Sequence, residues 1–97
     1  MGQVIWSPQA VSDFNSICEY IARDSERYAQ LVGQAIIALV ESIPRMPLLG
    51  WEVLEYGRSE IRERLYRHYR VIYRMRNNDV EIITITHGAK PPPLRVS

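Results

Sequence analysis

The sequence predicts an α+β fold: an N-terminal strand, an antiparallel helix hairpin, then a three-stranded antiparallel meander. Three observations predict it. Between residues 8 and 43 apolar side chains recur at three- and four-residue spacing, interrupted once near Asp24-Ser25, which is the period of two amphipathic helices. From Ile61 onward apolar and charged residues instead alternate with period two, which places successive side chains on opposite faces of a strand. The last two runs are separated only by Asn77-Asn78-Asp79, a tight-turn sequence that joins neighbouring antiparallel strands.

Taken in order, Gln3-Val4-Ile5-Trp6 is a short apolar strand. Ser7-Pro8 follows as an N-cap with proline at the first helical position. Val11, Phe14, Ile17, Cys18 and Ile21 form the apolar stripe of a first helix to about Arg23, with Asp13, Glu19 and Arg23 assigned to its polar side. Asp24-Ser25 caps a second helix from Glu26, whose buried stripe is read as Tyr28, Leu31, Val32, Ala35, Ile36, Leu39 and Ile43. Ile37 and Val40 widen that stripe, so this helix is expected to be covered on two sides. Pro44 and Pro47 end it, since proline lacks the N–H that a helix interior needs.

Residues 44–60 mix proline and glycine with Leu48, Leu49, Trp51, Val53, Leu54 and Tyr56, an apolar loop that must pack on the core or a partner. A short extended piece is allowed within it. Strands are predicted at 60–66, 69–76 and 79–87, the last apolar on both faces over its second half and therefore central. Residues 90–97, KPPPLRVS, cannot continue a strand or helix through their prolines. One domain over residues 1–97 accounts for the whole length.

Composition narrows the function classes. No apolar run approaches the roughly 20 residues needed to cross a bilayer, and no signal peptide is visible, so a cytoplasmic protein without a membrane partner is expected. Cys18, the single cysteine, sits in a helical stripe and reads as a small buried hydrophobe. The five glycines make no phosphate-binding loop, and no serine sits in a glycine elbow. His68, His87 and Cys18 have no metal-ligand spacing; no metal or other cofactor is expected.

Charge is unevenly placed. Residues 58–76 hold seven arginines against Glu60 and Glu63, a net of +5, while the remaining residues net −4. Period-two alternation puts Tyr69, Val71, Tyr73 and Met75 on one face and Arg70, Ile72, Arg74 and Arg76 on the other. It also separates Ile61, Glu63 and Leu65 from Arg62, Arg64 and Tyr66. The expectation is an apolar sheet face against the helices and an arginine-bearing face that binds a polyanion or an acidic protein. Arg62, Arg64, Arg70 and Arg74 are the anion-binding candidates, because guanidinium forks match phosphate and carboxylate oxygens. His68 and His87 are the acid–base candidates, and Tyr66 a stacking candidate.

Ile61-Arg62-Glu63, Tyr69-Arg70-Val71-Ile72-Tyr73-Arg74 and Ile85-Thr86-His87-Gly88-Ala89 together resemble the RelE/ParE toxin superfamily. The opening Trp6-Ser7-Pro8-Gln9-Ala10 with Asp13, and the Pro47-x-x-Gly50 loop, are similar to it as well. Trp51 departs from the pattern, since many relatives carry arginine after that glycine. The resemblance implies the toxin half of a bacterial type II toxin–antitoxin module. Its partner would be a cognate antitoxin, which alone touches promoter DNA. ParE-type members poison DNA gyrase by protein contact, and the Val-Ile-Tyr-Arg and His-Gly-Ala spellings look closer to that branch. Arg62, Arg64, Arg70, Arg74 and Lys90 would then be contact residues. RelE-type members cut mRNA in the ribosome. On that alternative Arg62, Arg64 and Arg70 hold the scissile phosphate, Lys90 meets a basic position after the last strand, and His68 or His87 carries the proton. The tail PPPLRVS lacks the aromatic residue that such nucleases place there. An inactive relative that only binds its antitoxin is the third reading.

Overall fold

The computed structural model describes residues 2–88 and Pro92. Strand β1 (Val4–Trp6) leads into helices α1 (Pro8–Ala22) and α2 (Glu26–Ser42). Two single 3-10 turns, Ile43–Arg45 and Pro47–Leu49, carry the chain to a two-residue strand β2 (Trp51–Glu52). The meander β3 (Ile61–Tyr66), β4 (Tyr69–Arg76) and β5 (Asp79–His87) follows. The sheet order is β1-β5-β4-β3-β2, with β1 parallel to β5 and the other neighbours antiparallel. β5 is therefore interior, as its two apolar faces require.

The helix ends follow from their sequences. Ser7 Oγ accepts from Ala10 N at 3.0 Å and donates to Ile83 O at 2.7 Å, so one hydroxyl caps α1 and ties it to the sheet. Ser25 caps α2 in the same way through Tyr28 N. Both hairpin turns place a non-glycine residue at positive φ, Arg67 and Asn77. Asparagine tolerates that region well.

Helices cover one face of the sheet. Ala10, Val32, Ile36, Val40 and Ile43 pack there on Val71, Tyr73, Val80, Ile82 and Ile85, with Tyr66 and Tyr69 at the margin. A second, smaller core lies on the outer face: Val53, Ile61, Ile72 and Ile83, with Tyr56 against them. A bulge makes both possible. Ile72 pairs with Thr84 but Tyr73 with Ile82, so Ile83 is an extra residue in β5. The parity change lets Ile82 and Ile85 both reach the helices while Ile83 joins the outer core.

Three expectations about the helices need correction. Asp13 does not face solvent: its Oδ2 accepts from the hydroxyl of Thr84 and, at 3.1 Å, from Ile85 N, while Oδ1 accepts from Gln9 Nε2. Asp13 stands three residues after buried Ala10 and four before Ile17, so the spacing did place it on the sheet side. Tyr28 and Leu31, assigned to the buried stripe, are exposed, because the buried stripe of α2 runs one position further on, through Ala29, Val32, Gly33, Ile36 and Val40. Ile37 is exposed too, whereas Val40 is fully buried, so Val40 alone widens the stripe; α2 is covered on the two sides expected, by α1 and by the sheet.

Candidate functional site

The predicted single arginine face does not form. Cross-strand partners share a face, and β3 pairs Arg62 with Tyr73 and Arg64 with Val71. Arg62 and Arg64 therefore lie on the helix-bearing side. Ile61 pairs with Arg74 and Leu65 with Arg70, which puts Arg70 and Arg74 on the outer side. The four anion-binding candidates are split two and two. The reason is register: the alternation within each strand was read correctly, but the relative phase of two strands is set by their pairing.

The outer pair is also internally neutralised. Arg70 donates to Glu63 at 2.7 and 3.0 Å and to Glu55 through both terminal nitrogens at 3.0 Å, leaving its side chain 12% exposed. These carboxylates, Glu63 first, push the Arg70 guanidinium further up. Arg74 is buried and paired with Glu81 at 2.5 Å. Arg70 thereby fastens the segment after β2, whose Val53 fills the outer core and whose turn closes with Gly57 at φ 62°. Glu55 and Glu81 were not singled out in the sequence, and Glu63 was counted there only against the arginine excess; its place between Arg62 and Arg64 on β3 gives no sign that it meets Arg70 of the next strand.

Acid should loosen this fastening. Hydrogen bonds from Arg70 hold the Glu55 carboxyl below its ordinary 4.5. A depressed folded value means that the contribution is present above pH 4.5 and fades as pH falls through the folded value. Glu55 is largely exposed, so screening keeps the effect below about 1 kcal/mol. Glu55→Gln is expected to lower the urea midpoint at pH 7, with a gap from the parent chain that narrows as pH is taken below 4.5. An undiminished gap at pH 3 would contradict the assignment.

On the helix side, Arg62 donates to Gly50 O at 3.0 Å and its Nε is buried without a partner. Tyr73, fully buried, donates its hydroxyl to Pro47 O at 2.6 Å. These two bonds hold the 47–50 loop against the sheet margin. Burial pushes the Tyr73 phenol up. The loop in turn displays Leu48, Leu49, Trp51 and Leu54 to solvent, with Leu54 90% and Trp51 74% exposed.

His68 and His87 come together, stacked at 5.8 Å, with Tyr69 edge-on to His87 at 5.7 Å. His87 pairs with Tyr69, which pairs with Tyr66 across the turn, so this aromatic row also lies on the helix side. Of this row, His87 on β5 is two strand spacings, about 10 Å, from β3. Arg67 lies over the Tyr66 ring at 5.7 Å. Lys90, with all of the tail except buried Pro92, falls outside the described residues.

Between α1 and α2, facing away from the sheet, runs an open apolar groove of about 490 Å³ lined by Phe14, Cys18, Ala22, Ala29, Gly33 and Ile37. Gly33 keeps the helices close; a Cβ there would sit 3.3 Å from Cys18 Sγ. Burial pushes the Cys18 thiol up, which leaves it a poor nucleophile. Among the described residues no group of three or more histidine, cysteine or acidic side chains is placed to hold a metal, and no helix is long and apolar enough to cross a membrane.

Comparison with known proteins supplies the family. The chain is similar in fold to a solved structure titled chromosomal ParDE TA system from P. aeruginosa, with a TM-score of 0.74 at 19% identity over 90% of this chain and 96% of that one. It is similar to a YoeB-YefM complex from Staphylococcus aureus, TM-score 0.59, 18% identity, over 90% of this chain and 97% of that one. A YoeB dimer from the same organism gives TM-score 0.59 and 21% identity over 89% and 95%. Comparison with curated protein sequences gives no match. At these identities the structures speak for the fold alone. The family model described as ParE toxin of type II toxin-antitoxin system, parDE, matches residues 4–92. Matched over nearly its whole length, the chain belongs to the ParE toxin family, the toxin component of type II toxin–antitoxin systems.

Proposed function

We propose that this toxin acts by binding DNA gyrase and blocking it through surface contact, without bond-breaking chemistry of its own, and that a cognate antitoxin covers it until released. The observation that carries this reading is the separation of the groups a ribonuclease would need together. Arg70 and Arg74 are clamped by carboxylates on the outer face; of the guanidiniums such a nuclease would use, Arg64 alone shares the helix side and the strand end of His68 and His87, while Arg62 is held to Gly50 O at the other end of β3. Phosphate-holding and proton-carrying groups must lie within hydrogen-bond reach of the same reacting atoms. What the surface offers is an apolar knuckle at 46–54 and, on and beside β3, the guanidiniums of Arg62, Arg64 and Arg67, which meet no carboxylate among the described residues; that suits a protein target.

The antitoxin reading is supported by the similar structures, whose titles name a ParDE system and a YoeB–YefM complex. Exposed apolar surface at the helix groove and at the knuckle is what a wrapping partner would cover, and promoter DNA would be met only through that partner. Fold likeness alone does not choose a target. The deciding experiment adds the purified chain to gyrase supercoiling assays and, in parallel, to translating ribosomes with mRNA in the A site. Loss of supercoiling with intact mRNA is expected. Intact supercoiling with cut mRNA would replace this reading by the ribonuclease one, and neither effect would leave an inactive antitoxin-binding relative.

A further inference from the structure

The tip of the β3–β4 hairpin combines three features that the protein contact proposed above leaves unexplained. The first is composition. From Arg64 to Arg70 the sequence reads Arg-Leu-Tyr-Arg-His-Tyr-Arg, rings interleaved with guanidiniums and no acidic residue among them. The second is assembly. Tyr66, Tyr69 and His87 are cross-strand neighbours on β3, β4 and β5 and form a row of rings on the helix side. His68 stacks on His87, and Arg67 lies over the Tyr66 ring with its Nε donating to the phenol at 3.3 Å. Gly88 N donates to His68 O at 2.5 Å, which ties the end of β5 to the turn. Arg67, His68 and His87 are exposed and Tyr66 is half-buried, so solvent reaches the row. Neither Arg64 nor Arg67 has a carboxylate within ion-pair distance among the described residues.

The third feature is strain. Tyr66 pairs with Tyr69, which leaves Arg67 and His68 as a two-residue turn. Arg67 takes φ 52° while His68 stays out of the positive region, the pattern in which a hairpin turn gives its first position to glycine. Glycine adopts that backbone without steric cost. Arg67 is exposed, so the fold gains little packing from having arginine there instead. A cation held on strained backbone among rings is a feature of a binding site rather than of a turn.

We infer that this tip is a platform for single-stranded nucleic acid, with bases stacking on the Tyr66, His68 and His87 rings and phosphates meeting Arg64 and Arg67. Every base offers a π-face, so such a platform tolerates any sequence. A duplex keeps those faces stacked on one another and fits the tip less well. Aliphatic surface suits a protein partner better, and the chain gathers it elsewhere, at the 46–54 knuckle. The nucleic-acid contact adds to the protein contact proposed above, and neither requires the other.

The test titrates the intact chain into fluorescein-labelled twelve-nucleotide strands, oligothymidylate and oligouridylate, at pH 8 and several salt concentrations. Saturable binding of one or both is expected, which also tells DNA from RNA as the source. It should be at least about tenfold tighter than for an abasic strand with the same phosphates, or for a blunt duplex, as loss of base stacking predicts. Arg67→Gly is the decisive variant. Glycine relieves the turn, so its melting temperature should equal or exceed the parent's. Its affinity should nevertheless fall on the order of tenfold, and the slope of log affinity against log salt should shrink by about 0.7, one phosphate contact on a single strand. His68→Ala, a change at an exposed ring, should weaken binding and leave that slope unchanged. No saturable binding, equal affinity for the abasic strand, or an Arg67→Gly chain that binds as well as the parent would overturn the inference. So would loss of gyrase inhibition in Arg67→Gly without oligonucleotide binding by the parent, which would make the tip a protein contact. Inhibited gyrase beside unbound strands would remove the platform and leave the proposed function standing.

Discussion

Asp13→Ala is expected to destabilise the chain by about 3 kcal/mol, whereas Asp13→Asn should cost less than about 1 kcal/mol. One carboxylate oxygen, Oδ2, accepts from both the Thr84 hydroxyl and the Ile85 amide. Both donors belong to buried residues. Alanine leaves two buried donors without an acceptor, and each unpaired group costs about 1–3 kcal/mol. Asparagine keeps a carbonyl oxygen in the Oδ2 position, and Gln9, which donates to the other oxygen, can turn its own amide to meet the new NH₂. For a domain of this size about 3 kcal/mol corresponds to a melting temperature roughly 12–24 °C lower. Thermal unfolding of the three proteins by circular dichroism decides it. Equal losses for alanine and asparagine would show that charge, rather than the acceptor, holds α1 to the bulge of β5.

Gly50→Ala should be nearly as damaging, by about 1–3 kcal/mol, for a reason of space alone. The backbone at Gly50 is ordinary, φ −69° and ψ 160°, so any residue can adopt it. A Cβ, however, would lie 2.3 Å from the Tyr73 hydroxyl oxygen and 2.8 Å from Glu63 O. Tyr73 is fully buried and its hydroxyl is committed to Pro47 O, so it cannot step aside without giving up that bond. Tyr73→Phe removes the nearer of the two clashing atoms, leaving Glu63 O, and the double variant should therefore be more stable than the sum of the two single changes allows. Strict additivity in urea unfolding would mean that the loop, not the tyrosine, absorbs the methyl group. The same substitution displaces the knuckle that carries Trp51, so it should weaken target binding even where the fold survives.

Much of the architecture was legible because it is local. Ser7-Pro8, Ser25, Pro44 and Asn77-Asn78 punctuate the chain through bonds to residues a few positions away, and the observed elements begin and end beside them. The Trp6-Ser7-Pro8 opening with Asp13 was recognised as a pattern, and the structure supplies its purpose: Ser7 and Asp13 are the two points at which α1 is bonded to β5. The family resemblance read from Tyr69–Arg74 and the His87-Gly88 pair is carried by the profile match over 4–92. The candidate site was far less legible. Nothing near Arg70 in the chain announces Glu55, fifteen residues away, or shows that Glu63 shares its face.

Sequence by itself determined the type and order of the main elements, though not β2 or the bulge of β5, and the odd–even assignment within β3 and β4, because side-chain alternation depends only on the strand's own backbone. Tertiary structure alone decided which guanidiniums share a face and which are cancelled by carboxylates. Those outcomes depend on the pairing register of separate strands, and a shift of one residue there moves every side chain to the opposite face.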